Sequence, residues 1–150
     1  EKVLANENVE ATIKNDARVI VARSAVQTGN LAKAKTTYAE IQKTATGRLA
    51  AEALYYDAYF KNKEGKFEDS NKAVQKLAKD FAGFKEFGAK GLVIMAKNFY
   101  ALKDAYQATY ILENVISNFA EYPEVVAEAR NELRTIKEEE AKTNASVETE

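Results

Sequence analysis

The 150-residue chain has no cysteine, no histidine and no tryptophan, and it has only one proline and six glycines. Without cysteine there can be no disulfide, no thiolate nucleophile and no thiolate metal site, which suits a reducing cytosol and equally a secreted protein that needs no bridge. Without histidine the chain lacks the commonest general base and the commonest metal ligand. Long apolar runs are also missing. The longest, "GLVIMA" from Gly91 to Ala96, falls far short of the roughly 18 residues that span a bilayer, so direct membrane insertion is not expected. Neither charge sign dominates: 22 basic residues face 23 acidic ones, leaving no global field to attract nucleic acid or an anionic surface. Phosphate-binding glycine loops and nucleophile elbows are absent. No cofactor, no metal and no enzymatic activity are therefore expected.

What remains is a composition rich in Ala, Lys and Glu with few helix breakers, which reads as all-α. A chain of this length suits one domain and can bury roughly 70% of the surface it exposes when unfolded.

Three stretches repeat one pattern: "GNLAKAKTTYAEI" (29–41), "GKFEDSNKAVQKL" (65–77) and "KDAYQATYILENV" (103–115). In each, a small residue (Ala34, Ser70, Ala108) is followed four positions later by a large one (Tyr38, Val74, Leu112) and seven later by another (Ile41, Leu77, Val115). The anchors lie 36 and 38 residues apart, the period of a helical hairpin, with the drift assigned to loops. Twelve residues upstream stand Ala22, Ala58 and Ala96, and five before those Ala17, Ala53 and Gly91. Helices cross closely only where side chains are short, so Ala22 is expected against Ala34, Ala58 against Ser70 and Ala96 against Ala108. The large residues on the same face fill the space where hairpins stack.

Gly29 and Gly65 can take the left-handed conformation that closes a helix. The third turn has Lys103 at that place and must turn through Asp104 or a strained Lys103. The pattern predicts helices at 14–28, 31–44, 48–63, 66–81, 85–101, 104–118 and 123–139. They group as a half repeat (1–13), three repeats (about 14–47, 48–84 and 85–122) and a capping helix (123–139) in one unit of residues 1–140. Pro123 suits the first turn of that last helix. Arg134 stands where earlier helices have alanine, which marks a helix that no partner crosses. Val3 and Leu4 align with the end of a second helix, so the chain is expected to be a fragment of a longer array, prone to weak self-association at its broken N-terminal repeat. The polar residues 141–150 are expected to be solvated or disordered.

A small residue in the first helix, "GNL" and "GKF" at the turns, and Ala with a large residue four later resemble the tetratricopeptide repeat family. The likeness is degenerate: Arg18, Leu54 and Leu92 stand where an early aromatic is usual. The longer period, "LAKDF" and "VISNF" at the ends of second helices and "EYPEVVAEARNEL" are similar to periplasmic tetratricopeptide proteins of bacterial envelopes, including those associated with the outer membrane. The resemblance implies a right-handed superhelix of antiparallel hairpins whose first helices line a groove for a peptide or partner protein. It also implies a periplasmic or envelope location.

The stripe that would line this groove carries Val19, Arg23 and Val26, then Tyr55, Tyr59 and Asn62, then Val93, Lys97 and Tyr100, each set on one helix face. Aromatic anchors between Arg23 and Lys97 suit an extended or helical segment with some negative charge. The same tyrosines, crowded with Tyr56 and Phe60, would serve packing as readily as binding. Acids between the basic residues of "KNKEGKF" and "FKEFGAKG" argue against a nucleic-acid partner. The carboxylates Glu138 with Glu139, and Asp57 near Glu52, read as the wet side of helices. The function expected is a non-enzymatic protein-binding scaffold. The alternative is a purely structural or self-associating segment of a longer array.

Overall fold

The computed structural model describes the backbone of residues 2–148 and the side chains of residues 6–148; among them there are seven helices and no strand. The helices are α1 (Lys2–Gln27), α2 (Leu31–Thr44), α3 (Gly47–Lys63), α4 (Phe67–Asp80), α5 (Lys85–Ala101), α6 (Ala105–Asn118) and α7 (Pro123–Glu148). The five interior helices fall within one residue of their expected bounds. α2, α4 and α6 are each 14 residues long, and α3 and α5 are each 17. The change of period from 36 to 38 therefore lies in the turns: residues 45–46 join α2 to α3, whereas residues 81–84 join α4 to α5.

The turns inside the three hairpins share one hydrogen-bond pattern, in which the last carbonyls of the first helix are capped by the two residues that close it. Asn30 N donates to Ala25 O and Gly29 N to Val26 O. Lys66 N donates to Lys61 O and Gly65 N to Asn62 O, and Asp104 N donates to Phe99 O and Lys103 N to Tyr100 O. The pivot residue has a left-handed φ each time: 78° at Gly29, 77° at Gly65 and 69° at Lys103. Of the two routes open to the third turn, the chain takes the strained lysine, and the Asp104 carboxylate caps α6 by accepting from Gln107 N at 3.1 Å. Lys103→Gly should therefore stabilise the protein by about 1 kcal/mol, because glycine adopts this φ without a Cβ clash. Urea denaturation checks this; an unchanged midpoint would mean that the turn stores no strain.

All six small residues expected at helix crossings are fully enclosed: Ala22, Ala34, Ala58, Ser70, Ala96 and Ala108. The hydroxyl of Ser70 donates to the Ala58 carbonyl at 2.7 Å, a bond possible only where two helices touch backbone to side chain. Tyr38, Ile41, Val74, Leu77, Leu112 and Val115 are buried beside them. Of the second small track, Ala53 and Gly91 are buried but Ala17 is exposed. A Cβ on Gly91 would lie 3.2 Å from Leu77 Cδ2 and 3.3 Å from Val74 Cγ1, so α4 and α5 meet there with no room to spare.

Each helix packs on the next along the chain, and α3, α5 and α7 also pack in succession. α2, α4 and α6 do not touch one another. Three apolar clusters fill the spaces: one about α1, α2 and α3, one about α3, α4 and α5, and one about α5, α6 and α7.

The terminal helices outrun expectation. α1 continues without a break from Lys2, where the repeat pattern placed a turn before residue 14. The reason is local. Gly47, which opens α3 at φ 62°, corresponds by the 36-residue shift to Ala11, and alanine has no ready access to that conformation. The side chains of Val3 and Leu4 lie outside the described residues. At the other end α7 runs to Glu148 through residues expected to be disordered. No glycine or proline interrupts them, and Glu, Ala and Lys sustain a solvated helix. Arg134 is exposed, and among the described residues no helix crosses it.

Candidate functional site

The nine stripe residues sit on the odd-numbered helices, but they do not form one open surface. Val93 is 1% exposed and Val19 is also buried, so both belong to the core and drop out of the stripe. Adjacent helices close over them more tightly than the helical period alone could indicate. Val26 is half-buried against the cluster of α1, α2 and α3.

Arg23 crosses from α1 to α3. Its Nη2 donates to Glu52 Oε1 at 2.6 Å and its Nε to Glu52 Oε2 at 3.0 Å, a two-pronged pair. Tyr38 Oη donates to the same carboxylate at 2.8 Å from α2. The pair is lopsided: the Arg23 side chain is 56% exposed and that of Glu52 only 7%. Glu52 is thus a buried acceptor joining three helices and not, as its sequence position suggested, part of a wet face. The hydrogen bond that Arg23 donates to Glu52 raises the Arg23 pKa above its ordinary value. Burial, followed by the hydrogen bond to Glu52, pushes that of the Tyr38 hydroxyl far up.

Lys97 makes the corresponding bridge from α5 to α7, at 2.9 Å from Glu128 Oε1 and 3.8 Å from Glu132 Oε1. Both cations that the sequence offered to an acidic ligand are therefore matched by carboxylates of the protein itself. That correction removes the argument for a negatively charged partner.

Asn62 ends a chain of amides that the sequence gave no hint of. Its Nδ2 donates to Asn98 Oδ1, and Asn98 Nδ2 donates to Asn71 Oδ1, both at 2.8 Å. Asn98 has no exposed surface, so a fully buried polar side chain ties α3 to α4 and α5. Tyr100 donates to Glu139 Oε2 at 2.7 Å, fastening α5 to the distal part of α7, and this bond pushes the tyrosine pKa up to about 12.

The aromatics form one connected group. Tyr38 stacks on Tyr56 with ring centroids 4.4 Å apart, and Tyr56 meets Tyr55, Tyr59 and Phe60 at edge or tilted angles. Tyr55 reaches Phe87 on α5, and the Lys63 ammonium lies 5.3 Å from the Tyr59 ring. Tyr55 and Tyr59 are half-buried. With Tyr100, also half-buried, they are the aromatic stripe residues that keep some exposed surface. Burial raises the Tyr55 pKa, and Tyr56 and the Glu128 carboxylate add to the shift.

These shifts fix a pH dependence. The folded chain holds the Tyr38 and Tyr55 protons above the ordinary tyrosine value of about 10, whereas the unfolded chain releases them there. Their contribution to stability is whole below about pH 10 and is lost as pH rises toward the folded values. Urea unfolding at intervals from pH 8 to pH 11 should show stability falling above about pH 10, with delayed tyrosinate absorbance in the folded state. Tyr38→Phe should make the fall shallower.

A separate cleft of about 440 Å³ opens on α5 between α4 and the end of α6, lined by Val74, Phe81, Phe84, Leu92 and Phe119 among others. Phe81 and Phe119 close α4 and α6 with the same backbone geometry. The motifs "LAKDF" and "VISNF" were visible in the sequence, but no periodicity indicated that their phenylalanines share one cleft. Among the described residues no cluster of acidic side chains could hold a metal ion, and no helix is long and apolar enough to cross a membrane.

The chain matches no protein-family model, and a search of curated proteins finds no relative.

Proposed function

We propose that this protein is a non-enzymatic scaffold, a tetratricopeptide-like superhelix that binds a segment of another protein along its odd-numbered helices. The observation that carries this reading is the asymmetry of packing. α3, α5 and α7 touch in succession while α2, α4 and α6 do not, a pattern that supports a row of hairpins with α3, α5 and α7 on its inner side. Tyr55 and Tyr59 stand on that side with their rings partly free. Rings held by neighbours lose little freedom on binding, and half-buried tyrosines of this kind often dominate interface energetics. Because the cations are already paired, the ligand that suits this face is a segment with apolar or aromatic anchors, oriented by hydrogen bonds to amide and carboxylate groups.

A photoreactive phenylalanine analogue at position 59 should capture such a partner, whereas the same analogue at the exposed Lys72 on α4 should not. Tyr59→Leu should then weaken binding of the captured protein by about 2 kcal/mol, or roughly thirtyfold. Leucine is the better probe than alanine because Tyr59 also packs in two core clusters, where truncation would cost stability. Unaltered binding by the Tyr55→Leu, Tyr59→Leu double variant would place the interaction on another surface.

A further inference from the structure

α1 has two apolar faces. Val19, Ala22 and Ala25 pack into the core, while Val9, Ile13, Ala17 and Ile20 form a stripe on the opposite side that is exposed among the described residues. Ile13 is 63% and Ile20 69% exposed. Helices apolar on both sides are normally enclosed on both.

The repeat shows what encloses such a stripe. Shifted by 36 residues, Ile13, Ala17 and Ile20 become Leu49, Ala53 and Tyr56 of α3, which pack in the cluster holding Tyr38 and Ile41 of α2. Shifted by a further 38, they become Phe87, Gly91 and Ile94 of α5, where Leu77 and Val74 of α4 press on Gly91. In α7 the seat is Ala129, enclosed in the cluster that holds Leu112 and Val115 of α6. Each seat thus has a small residue that receives the two large side chains of a helix with the small-x3-large-x2-large pattern. Ala53, Gly91 and Ala129 are buried, and Ala17 is open.

We infer that the outer face of α1 is a docking seat for an amphipathic helix of a partner protein that carries this pattern, with its two large residues set over Ala17 between Ile13 and Ile20. A folded second copy has no such helix to give. The patterned face of α2 is enclosed by α1 and α3, that of α4 by α3 and α5, and that of α6 by α5 and α7. This seat lies apart from Tyr55 and Tyr59, and the inference does not depend on the groove reading.

The α4 sequence itself supplies a probe. A fluorescent peptide of residues 66–82 should bind the intact protein in an anisotropy titration, with a dissociation constant on the order of 100 µM because the free peptide must first become helical. Ile13→Glu with Ile20→Glu should weaken it roughly a hundredfold while leaving the melting temperature nearly unchanged, since both side chains are exposed. A peptide with Val74→Asp and Leu77→Asp should not bind. Equal binding to the wild type and to the isoleucine variant would overturn the inference, because the peptide would then be invading the core. No binding at millimolar peptide would also overturn it. So would a wild-type dimer in sedimentation that the isoleucine variant dissolves, since the seat would then be filled by a second copy.

Discussion

Arg23→Met is expected to destabilise the protein by about 3 kcal/mol at neutral pH, although arginine is the exposed member of its pair. The cost falls on Glu52. Its carboxylate is nearly enclosed and would keep only the Tyr38 hydroxyl as a partner, so its charge would be left without compensation. The estimate sits at the low end for a broken buried pair because solvent reaches the guanidinium side. Glu52→Gln should cost less, about 1 to 2 kcal/mol, since the amide oxygen can still accept from Tyr38 and the released guanidinium is free to hydrate. The double variant should be more stable than the sum of the single losses predicts, by 1 kcal/mol or more. Urea unfolding of the four proteins gives this coupling directly. Strict additivity would mean that the two side chains do not act on one another in solution.

Asn98 should be a second polar position that tolerates little change. Asn98→Leu keeps the volume but removes the donor to Asn71 and the acceptor for Asn62, leaving buried amide atoms unpaired, at an expected cost of about 2 to 3 kcal/mol. Adding Asn71→Leu should recover much of that loss, because an apolar pair needs no hydrogen bonds. Asn98→Ala should be worse than Asn98→Leu by the further cost of a cavity. If the leucine variant were as stable as the wild type, the amides would contribute nothing beyond filling space.

The interior of the fold was legible because three levels of signal agreed. Small residues recur at a fixed offset, large ones follow at four and seven, and glycine stands at two of three turns. The helix ends were less legible, since the end of a repeat unit is marked by a breaking residue, and Ala11 breaks nothing. The polar network was not legible at all. Glu52, Asn71 and Asn98 carry letters that a hydrophobic pattern assigns to the surface. Their partners arrive from 14 to 36 residues away in the chain, so no local window contains the reason for their burial. The stripe failed in part for a related reason. Helical period places Val93 and Tyr55 on equivalent faces, but only the packing of neighbouring helices decides that one is sealed and the other is half open. The exposure of Ala17 has the same origin: its sequence context matches that of Ala53 and Gly91, but among the described residues no helix packs over it.

The locality of packing has a kinetic consequence. Among the described residues no helix packs on another more than two places away in the chain, so contact order is low and folding requires no distant loop to close. Such a chain should refold quickly after dilution from urea, and any hairpin can serve as the nucleus from which order spreads. It should also come apart unevenly. Amides in the middle of α3, α4 and α5, enclosed on both sides, should exchange slowest with solvent, and protection should fall toward both ends. Pulled by its termini, the protein should yield in steps of one hairpin at a time, and a partner lying across several odd-numbered helices would join those steps into one.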